Sequence, residues 1–355
     1  MNDLEKYGWN EHTAEVWVAA QTDLPRCVPA RVIADFGTTL KVVTPAEKTA
    51  TISGHLHHTL RPEDFPKVGD WVAAELFGTE AAVIEAVLPR RTEIARKAAG
   101  HKVQKQIMAA NVDIAFVLQA MDHDFSPERL QRYLYQLGID RITPVVVLNK
   151  ADKAEDAQPF LDAVATLGVR VIVSSSVSGN GVDEIRQAIE PGKTAILLGS
   201  SGVGKSTLTN ALVGREQQAT QAVRESDSTG RHTTVHRELF VLDGGGLLID
   251  TPGIRELQLW GVEEDLAENF DDIAELTTHC KFSNCRHGTE DGCAIQAALK
   301  SGKLKPKHYE NYLKMRSELQ HLKAKATNEN AVQKRKAIYK MRKQTERDMR
   351  DDDGL

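Results

Sequence analysis

No long apolar run occurs in this sequence. A membrane span takes roughly 18–20 consecutive apolar residues, and here charges or glycines break every stretch before that. A surplus of positive charge is also missing. Lys and Arg number 45 against 50 Asp and Glu, a formal net charge of −5, so contact with nucleic acid has to come from local patches. Two basic runs qualify, Arg90–Lys105 and Lys334–Arg350. On charge alone each reads equally well as a solvated helix face. Cysteine is scarce: four residues, three of them between Cys280 and Cys293. Cys27 stands alone and reads as a small buried apolar side chain. In a reducing cytosol the clustered three point to metal rather than to disulfides. The polar start, Met1–Lys6, has no secretory apolar segment, and a cytoplasmic location is the expectation. No internal repeat is visible.

What is present fits two or three domains in 355 residues. Residues 1–24 show no clean period and read as an arm. Between Pro25 and Pro89, short β-branched runs alternate with Gly, Pro and Asp turns, the pattern of a small barrel. An OB-type barrel over residues 25–97 suits it, and an SH3-like barrel nearly as well. Residues 98–275 alternate apolar strands with helical segments, predicting an α/β domain with a parallel sheet covered on both faces. Residues 276–355 hold the Cys/His cluster and then a charged helical tail.

Gly199-Ser200-Ser201-Gly202-Val203-Gly204-Lys205-Ser206-Thr207 fits the phosphate-loop pattern and lies between a predicted strand, Thr194–Leu198, and a predicted helix, Lys205–Val213. Loops of this kind cradle nucleotide phosphates with backbone N–H groups and a lysine, and the hydroxyl corresponding to Ser206 ligates Mg²⁺. Asn149-Lys150-Ala151-Asp152 ends another apolar strand about fifty residues earlier and fits the N-K-x-D element that reads guanine. The Asp152 carboxylate, an acceptor only, suits guanine's N1–H and exocyclic amine. Asn149 can turn its amide toward the base and the neighbouring loop, and the Lys150 stem can lie along the ring. In ordinary GTPases the base reader follows the phosphate loop; here it precedes it, so the order is circularly permuted.

Ser174–Gly181 contains Ser175 and Ser176 where a main-chain N–H backs the base. Asp250-Thr251-Pro252-Gly253 ends a further strand, placing Asp250 to hold Mg²⁺ through water and the Gly253 N–H near the γ-phosphate. Gly230–His236 carries a threonine, Thr233 or Thr234, able to close on the γ-phosphate and Mg²⁺. Many GTPases keep a water-orienting glutamine just past the D-x-x-G glycine; Ile254 stands there instead. His232 is the candidate to act in its place, and slow unaided hydrolysis is the expectation. Cys280, Cys285, His287 and Cys293 form C-x₄-C-x-H-x₅-C, a spacing for a closed structural Cys₃His zinc site. His279 would duplicate a ligand and is left out.

This series of motifs resembles the RsgA (YjeQ) family of bacterial small-ribosomal-subunit GTPases, over nearly the whole chain. The resemblance implies an OB-fold domain, a permuted GTPase domain and a zinc-binding C-terminal domain. It also implies GTP hydrolysis late in small-subunit maturation, stimulated by the subunit; the subunit and its rRNA are the expected partners. By position it gives Asn149–Asp152 and Gly199–Thr207 as GTP contacts, the Cys₃His set as zinc ligands and His232 as the proposed catalytic histidine. Two other readings compete with it: an RNA-binding assembly protein whose hydrolysis is incidental, and a membrane-associated GTPase. A monomer is the expected state.

Overall fold

The β-branched runs that open the chain close on themselves. The computed structural model describes residues 2–97, 105–214, 237–250, 266, 270–288 and 290–325. Helices α1 (Asn2–Glu5) and α2 (Glu11–Gln21) come first, the second capped by the Asn10 side chain, which accepts the Thr13 N–H at 3.1 Å. The segment expected as an arm is therefore helical, and it is packed down: Leu4 and Trp9 are buried, with Trp9 edge-to-face on Trp71 at 4.9 Å.

Strands β1 (Cys27–Asp35), β2 (Leu40–Thr44), β3 (Ala46–Ile52), β4 (Trp71–Phe77) and β5 (Ala81–Val87) pair in the order β1-β2-β3-β5-β4, and β4 returns to β1. Helix α3 (Gly54–Thr59) lies between β3 and β4 in the chain, and β3 pairs with β5 in parallel. That circuit is the OB-type barrel. Alternate side chains, among them Ala30, Val32, Val42, Val72 and Ile84, fill the interior, each large one contributing roughly 1.5–3 kcal/mol by leaving water. Cys27, at the open start of β1, is only half-buried, against expectation.

The first basic run is not a helix face. Its described residues include β6 (Glu93–Lys97) and the first residue of β7 (Lys105–Ala110), which pair as a two-stranded ribbon. Arg90 grips the fully buried Asp70 with two parallel bonds, Nε to Oδ1 and Nη2 to Oδ2, both 2.8 Å. Arg91 pairs with Asp113 at 2.7 Å and Lys105 with Glu93 at 2.5 Å. Arg90 is thus spent inside the protein, while Arg91 and Lys105 are paired at the surface, their side chains 43% and 37% exposed.

Next come β8 (Ile114–Ala120), α4 (Pro127–Ile139), β9 (Thr143–Asn149), α5 (Gln158–Val164), β10 (Arg170–Val173), α6 (Val182–Gln187), β11 (Thr194–Leu198), α7 (Lys205–Val213), β12 (Arg237–Val241) and β13 (Leu247–Asp250). The sheet runs β10-β9-β8-β11-β13-β12, parallel except for β12. Burial on both faces explains the near-continuous apolar strands. One face packs Val117, Val146 and Ile196 on Leu130 and Leu137 of α4; the other packs Phe116, Val147 and Leu197 on Ile185 and Leu208. The antiparallel β12 was not anticipated. It also pairs with β1 of the barrel, Ala34 opposite Glu238 and Asp35 opposite Arg237, so sheet and barrel wall are continuous.

Asp140 ends α4, where the helix dipole disfavours an anion. Burial pushes its carboxyl up to about 6, against the Gln136 amide at 3.2 Å. The folded value exceeds the unfolded one of roughly 3.9, so the stability this group contributes is full below about pH 4 and lost as pH rises through about 6. Asp140→Asn is therefore expected to raise stability by about 1–2 kcal/mol near pH 7.5, with the gain vanishing near pH 4. Equal melting temperatures for the two proteins at the higher pH would refute it.

The chain divides into two compact units, residues 1–96 with 105–258, and residues 97–104 with 259–355. In the second, α8 (Asp271–Thr278), α9 (Ala294–Ser301) and a helix over residues 306–325 enclose Phe270, Ile273, Ile295, Leu304, Met315 and Leu319. Among the described residues no helix is long and apolar enough to cross a membrane.

Candidate nucleotide and metal sites

In a parallel sheet the loops at the carboxyl ends of the strands gather on one edge. Here these are the loops after β8, β9, β10 and β11, with Asp250 ending β13. The loop after β11 turns through Gly199, Gly202 and Gly204, all with positive φ, before α7 starts at Lys205. At Gly204 (φ +99°) a Cβ would fall 2.3 Å from Asn149 Nδ2, and at Gly199 one would fall 2.6 Å from the Leu118 carbonyl. Only glycine lets the loop close against its neighbours. Lys205 Nζ donates to the Gly199 and Ser200 carbonyls, 2.7 Å each, and so lies over the loop.

Asn149 joins the separated motifs. Its side chain is buried; Nδ2 donates to the Val203 carbonyl at 2.8 Å. Oδ1 accepts from the Ser174 hydroxyl (3.1 Å), the Ser176 N–H (3.1 Å) and the Ser176 hydroxyl (2.9 Å). Of the two directions expected for this amide, the loop-facing one is filled. The Ser176 N–H is held by Asn149 and the Ser175 N–H by the Asn180 carbonyl at 2.9 Å, so both expected base-backing groups are engaged, one by the end of β9 and one within the loop. Asp152 differs: the Ser175 hydroxyl donates to Oδ1 at 2.5 Å and holds this open carboxyl below the usual carboxylate range. It is an oriented anion, free to accept from a purine edge. Lys150 takes the left-handed conformation (φ +65°) and its Nζ pairs with Asp122 at 2.9 Å. A non-glycine residue held there costs of order 1 kcal/mol or more and marks a position fixed by its surroundings.

Sequence reasoning passed over the loop after β8. Asp122 anchors Lys150, and Asp124 Oδ2 accepts from Ser200 Oγ at 2.9 Å and pairs with Arg129. Arg129 also reaches Gln119 Oε1 at 3.1 Å. The signal was there: two acids, Asp122 and Asp124, directly after an apolar strand, at the edge where ligands bind. His232, Thr233, Thr234, Gly253, Ile254 and the Lys334–Arg350 run lie outside the described residues.

In the second unit the ligand atoms of Cys280, Cys285, His287 and Cys293 all lie within 4.8 Å of one another. His287 Nδ1 sits 3.5 Å from Cys280 Sγ and 3.7 Å from Cys293 Sγ. Burial pushes the His287 imidazole down, favouring the neutral ring that ligates. His279 turns away, its Nδ1 2.9 Å from the Glu275 carbonyl. Three sulfurs and one nitrogen around a common centre form a metal-binding set.

The RsgA GTPase family model matches residues 87–260. The ABC transporter model matches residues 182–350, a stretch that holds the phosphate loop but begins after Asn149–Asp152. The small ribosomal subunit biogenesis GTPase RsgA of Xanthomonas axonopodis pv. citri (strain 306) is 42% identical over 328 residues, 89% of this chain and 88% of the relative. That of Opitutus terrae (strain DSM 11246 / JCM 15787 / PB90-1) is 41% identical over 329 residues, 89% of each. Among solved structures, YjeQ from Thermotoga maritima matches with a TM-score of 0.61 and 24% identity, over 83% of this chain and 99% of that one. YloQ, described as a circularly permuted GTPase, gives 0.59 and 24%, over 83% and 96%. At that identity the structures speak for the fold. The chain belongs to the RsgA GTPase family.

Proposed function

We propose that this protein is a GTPase of small-ribosomal-subunit biogenesis, hydrolysing GTP to GDP and phosphate on the maturing subunit. One observation carries the nucleotide reading: Asn149 ties the phosphate loop to the serine loop, with Asp152 oriented and ionised beside them. Gly199–Thr207 receive the phosphates and Lys205 supplies their counter-charge. Asp152 reads the guanine edge. Ser206 and Asp250 would hold Mg²⁺, which would supply positive charge to the bound phosphates. Thr233 or Thr234 closes the site, Gly253 contacts the γ-phosphate and His232 positions or deprotonates the attacking water. With Ile254 in place of a glutamine, the unaided rate is slow and the subunit completes the site. The barrel (residues 25–97) and the basic tail of the domain over residues 276–355 supply the rRNA contacts, and the protein works in the cytoplasm as a monomer.

The test is GTP against ATP hydrolysis, with and without small subunits, in the native chain, Lys205→Ala and His232→Ala. Native GTP turnover should rise with subunits. Lys205→Ala should lose it, and His232→Ala should keep binding but lose the stimulated rate. Preference for ATP, or a rate indifferent to subunits, defeats the reading.

The metal of the second unit is assigned as zinc. A tetrahedral centre with Zn–S of about 2.3 Å and Zn–N of about 2.0–2.1 Å places neighbouring donors roughly 3.5–3.8 Å apart, and the two nitrogen–sulfur distances of 3.5 and 3.7 Å suit it. Its loss should melt the unit, because structural zinc supplies on the order of 10 kcal/mol or more to small modules. Chelator treatment is expected to abolish the near-ultraviolet dichroism of Tyr309 and Tyr312 while GDP binding persists. An unchanged tyrosine signal at zero bound metal would exclude a structural role.

A further inference from the structure

The amino ends of β8 and β11, on the edge of the sheet opposite the phosphate loop, border a cavity of about 600 Å³. Nothing in the nucleotide reading uses it. Its floor includes Arg31 and Thr194, its wall Trp9 and Trp71, and its mouth the exposed Lys6 and Lys193. We propose that this cavity binds a small organic polyanion, a compact di- or tricarboxylate or a phosphate monoester, with Arg31 beneath it and Lys6, Arg91 and Lys193 around its entrance.

Arg31 is the first argument. It is 1% exposed, and its bonds go only to neutral acceptors: the Gly69 carbonyl (3.3 Å), the Thr194 hydroxyl (2.8 Å) and the Tyr7 carbonyl. No carboxylate of the described residues lies within ion-pair distance of it. A guanidinium has five N–H donors, so two remain. The Trp71 ring lies 5.3 Å from its Cζ, but a buried cation without an anionic partner still costs several kcal/mol: burial lowers the Arg31 pKa to about 10, with Asp113 and Asp70 opposing only from a distance. An anion in the cavity relieves that cost.

The lining is the second argument. Four strong bases, Lys6, Arg31, Arg91 and Lys193, stand with two carboxylates, Glu5 and Asp113. Asp113 is already claimed by Arg91 (2.7 Å), Lys193 (3.6 Å) and the Thr194 N–H (2.8 Å). The excess is positive, and the volume falls in the range of small-molecule sites, roughly 300–1,000 Å³. Because Arg31 also holds Thr194, an occupant bears on the first residue of the strand that ends in the phosphate loop.

The experiment uses the full chain with GDP and Mg²⁺ in excess, so that the phosphate loop is filled. Citrate and, separately, glycerol 3-phosphate are titrated at constant ionic strength while tryptophan fluorescence is followed, since Trp9 and Trp71 wall the cavity. At least one anion should give a saturable change at millimolar concentration or below, and which of them does separates a carboxylate from a phosphate ligand. The double variant Lys6→Glu/Lys193→Glu, whose residues are exposed and whose fold should survive, is expected to weaken binding by about tenfold or more. Arg31→Met should abolish it; if that variant does not fold, the double variant carries the test. No saturable change with either anion overturns the proposal. So does a change of equal affinity in the double variant.

Discussion

Asn149→Ala is expected to lower guanine-nucleotide affinity by at least about a hundredfold without Asn149 itself having to touch the nucleotide. Truncation leaves the Val203 carbonyl without its donor, and the Ser174 hydroxyl and the Ser176 N–H and hydroxyl without their shared acceptor. Each orphaned buried group costs about 1–3 kcal/mol, and the loops relieve that cost by separating. The phosphate loop then no longer holds Val203 and Gly204 against the base-reading side. Asn149→Asp should fail as well, because a carboxylate oxygen would face the Val203 carbonyl. Titration with a fluorescent GDP analogue measures the effect. Binding within about threefold of native by Asn149→Ala would show that the two motifs hold their positions independently.

Arg90→Ala is expected to cost about 3–5 kcal/mol of stability, since removing one partner strands a buried charge. Asp70 is wholly buried and receives Arg90 twice, with the Lys67 N–H as a third donor at 2.8 Å. Burial raises the Asp70 pKa and Arg90 opposes that rise. Without the guanidinium, Asp70 either takes a proton or opens the barrel to water. Denaturant unfolding of the variant reads the loss directly. Asp70→Leu/Arg90→Met should recover most of it, because the desolvation cost leaves with the charges. If Arg90 were instead a surface contact for polyanions, Arg90→Ala would unfold like the native chain.

The contrast between these residues shows what the sequence could disclose. β11, its glycine loop and α7 were legible because a short apolar run, a spaced glycine motif and a helix start lie side by side, all local signals. The OB-type barrel was legible as strands and turns but not as a circuit, since pairing order leaves no trace in composition; the parallel β3–β5 pair and the return of β4 to β1 separate it from an SH3-like closure. β12 escaped notice because five residues, Arg237–Val241, carry little period, and its partners are distant in the chain. The Arg90–Lys105 run misled because a charge count cannot show that Asp70 lies underneath. Asp122 and Asp124 could have been found by asking what ends β8, the question that located Asn149 at the end of β9. Arg31 could not: nothing local marks an arginine in an apolar strand as buried.

The barrel and the nucleotide sheet share more than a seam. Ile33, Val68, Trp71 and Leu88 belong to the same apolar cluster as Val117, Val146, Ile196 and Ile249. A protein shortened to begin at residue 105 would bare those side chains to water, along with the edge of β12 that β1 had covered, and such edges invite foreign strands. The OB barrel is therefore a bearing wall rather than a detachable adaptor, and swapping it for another protein's would demand matching oil and register together.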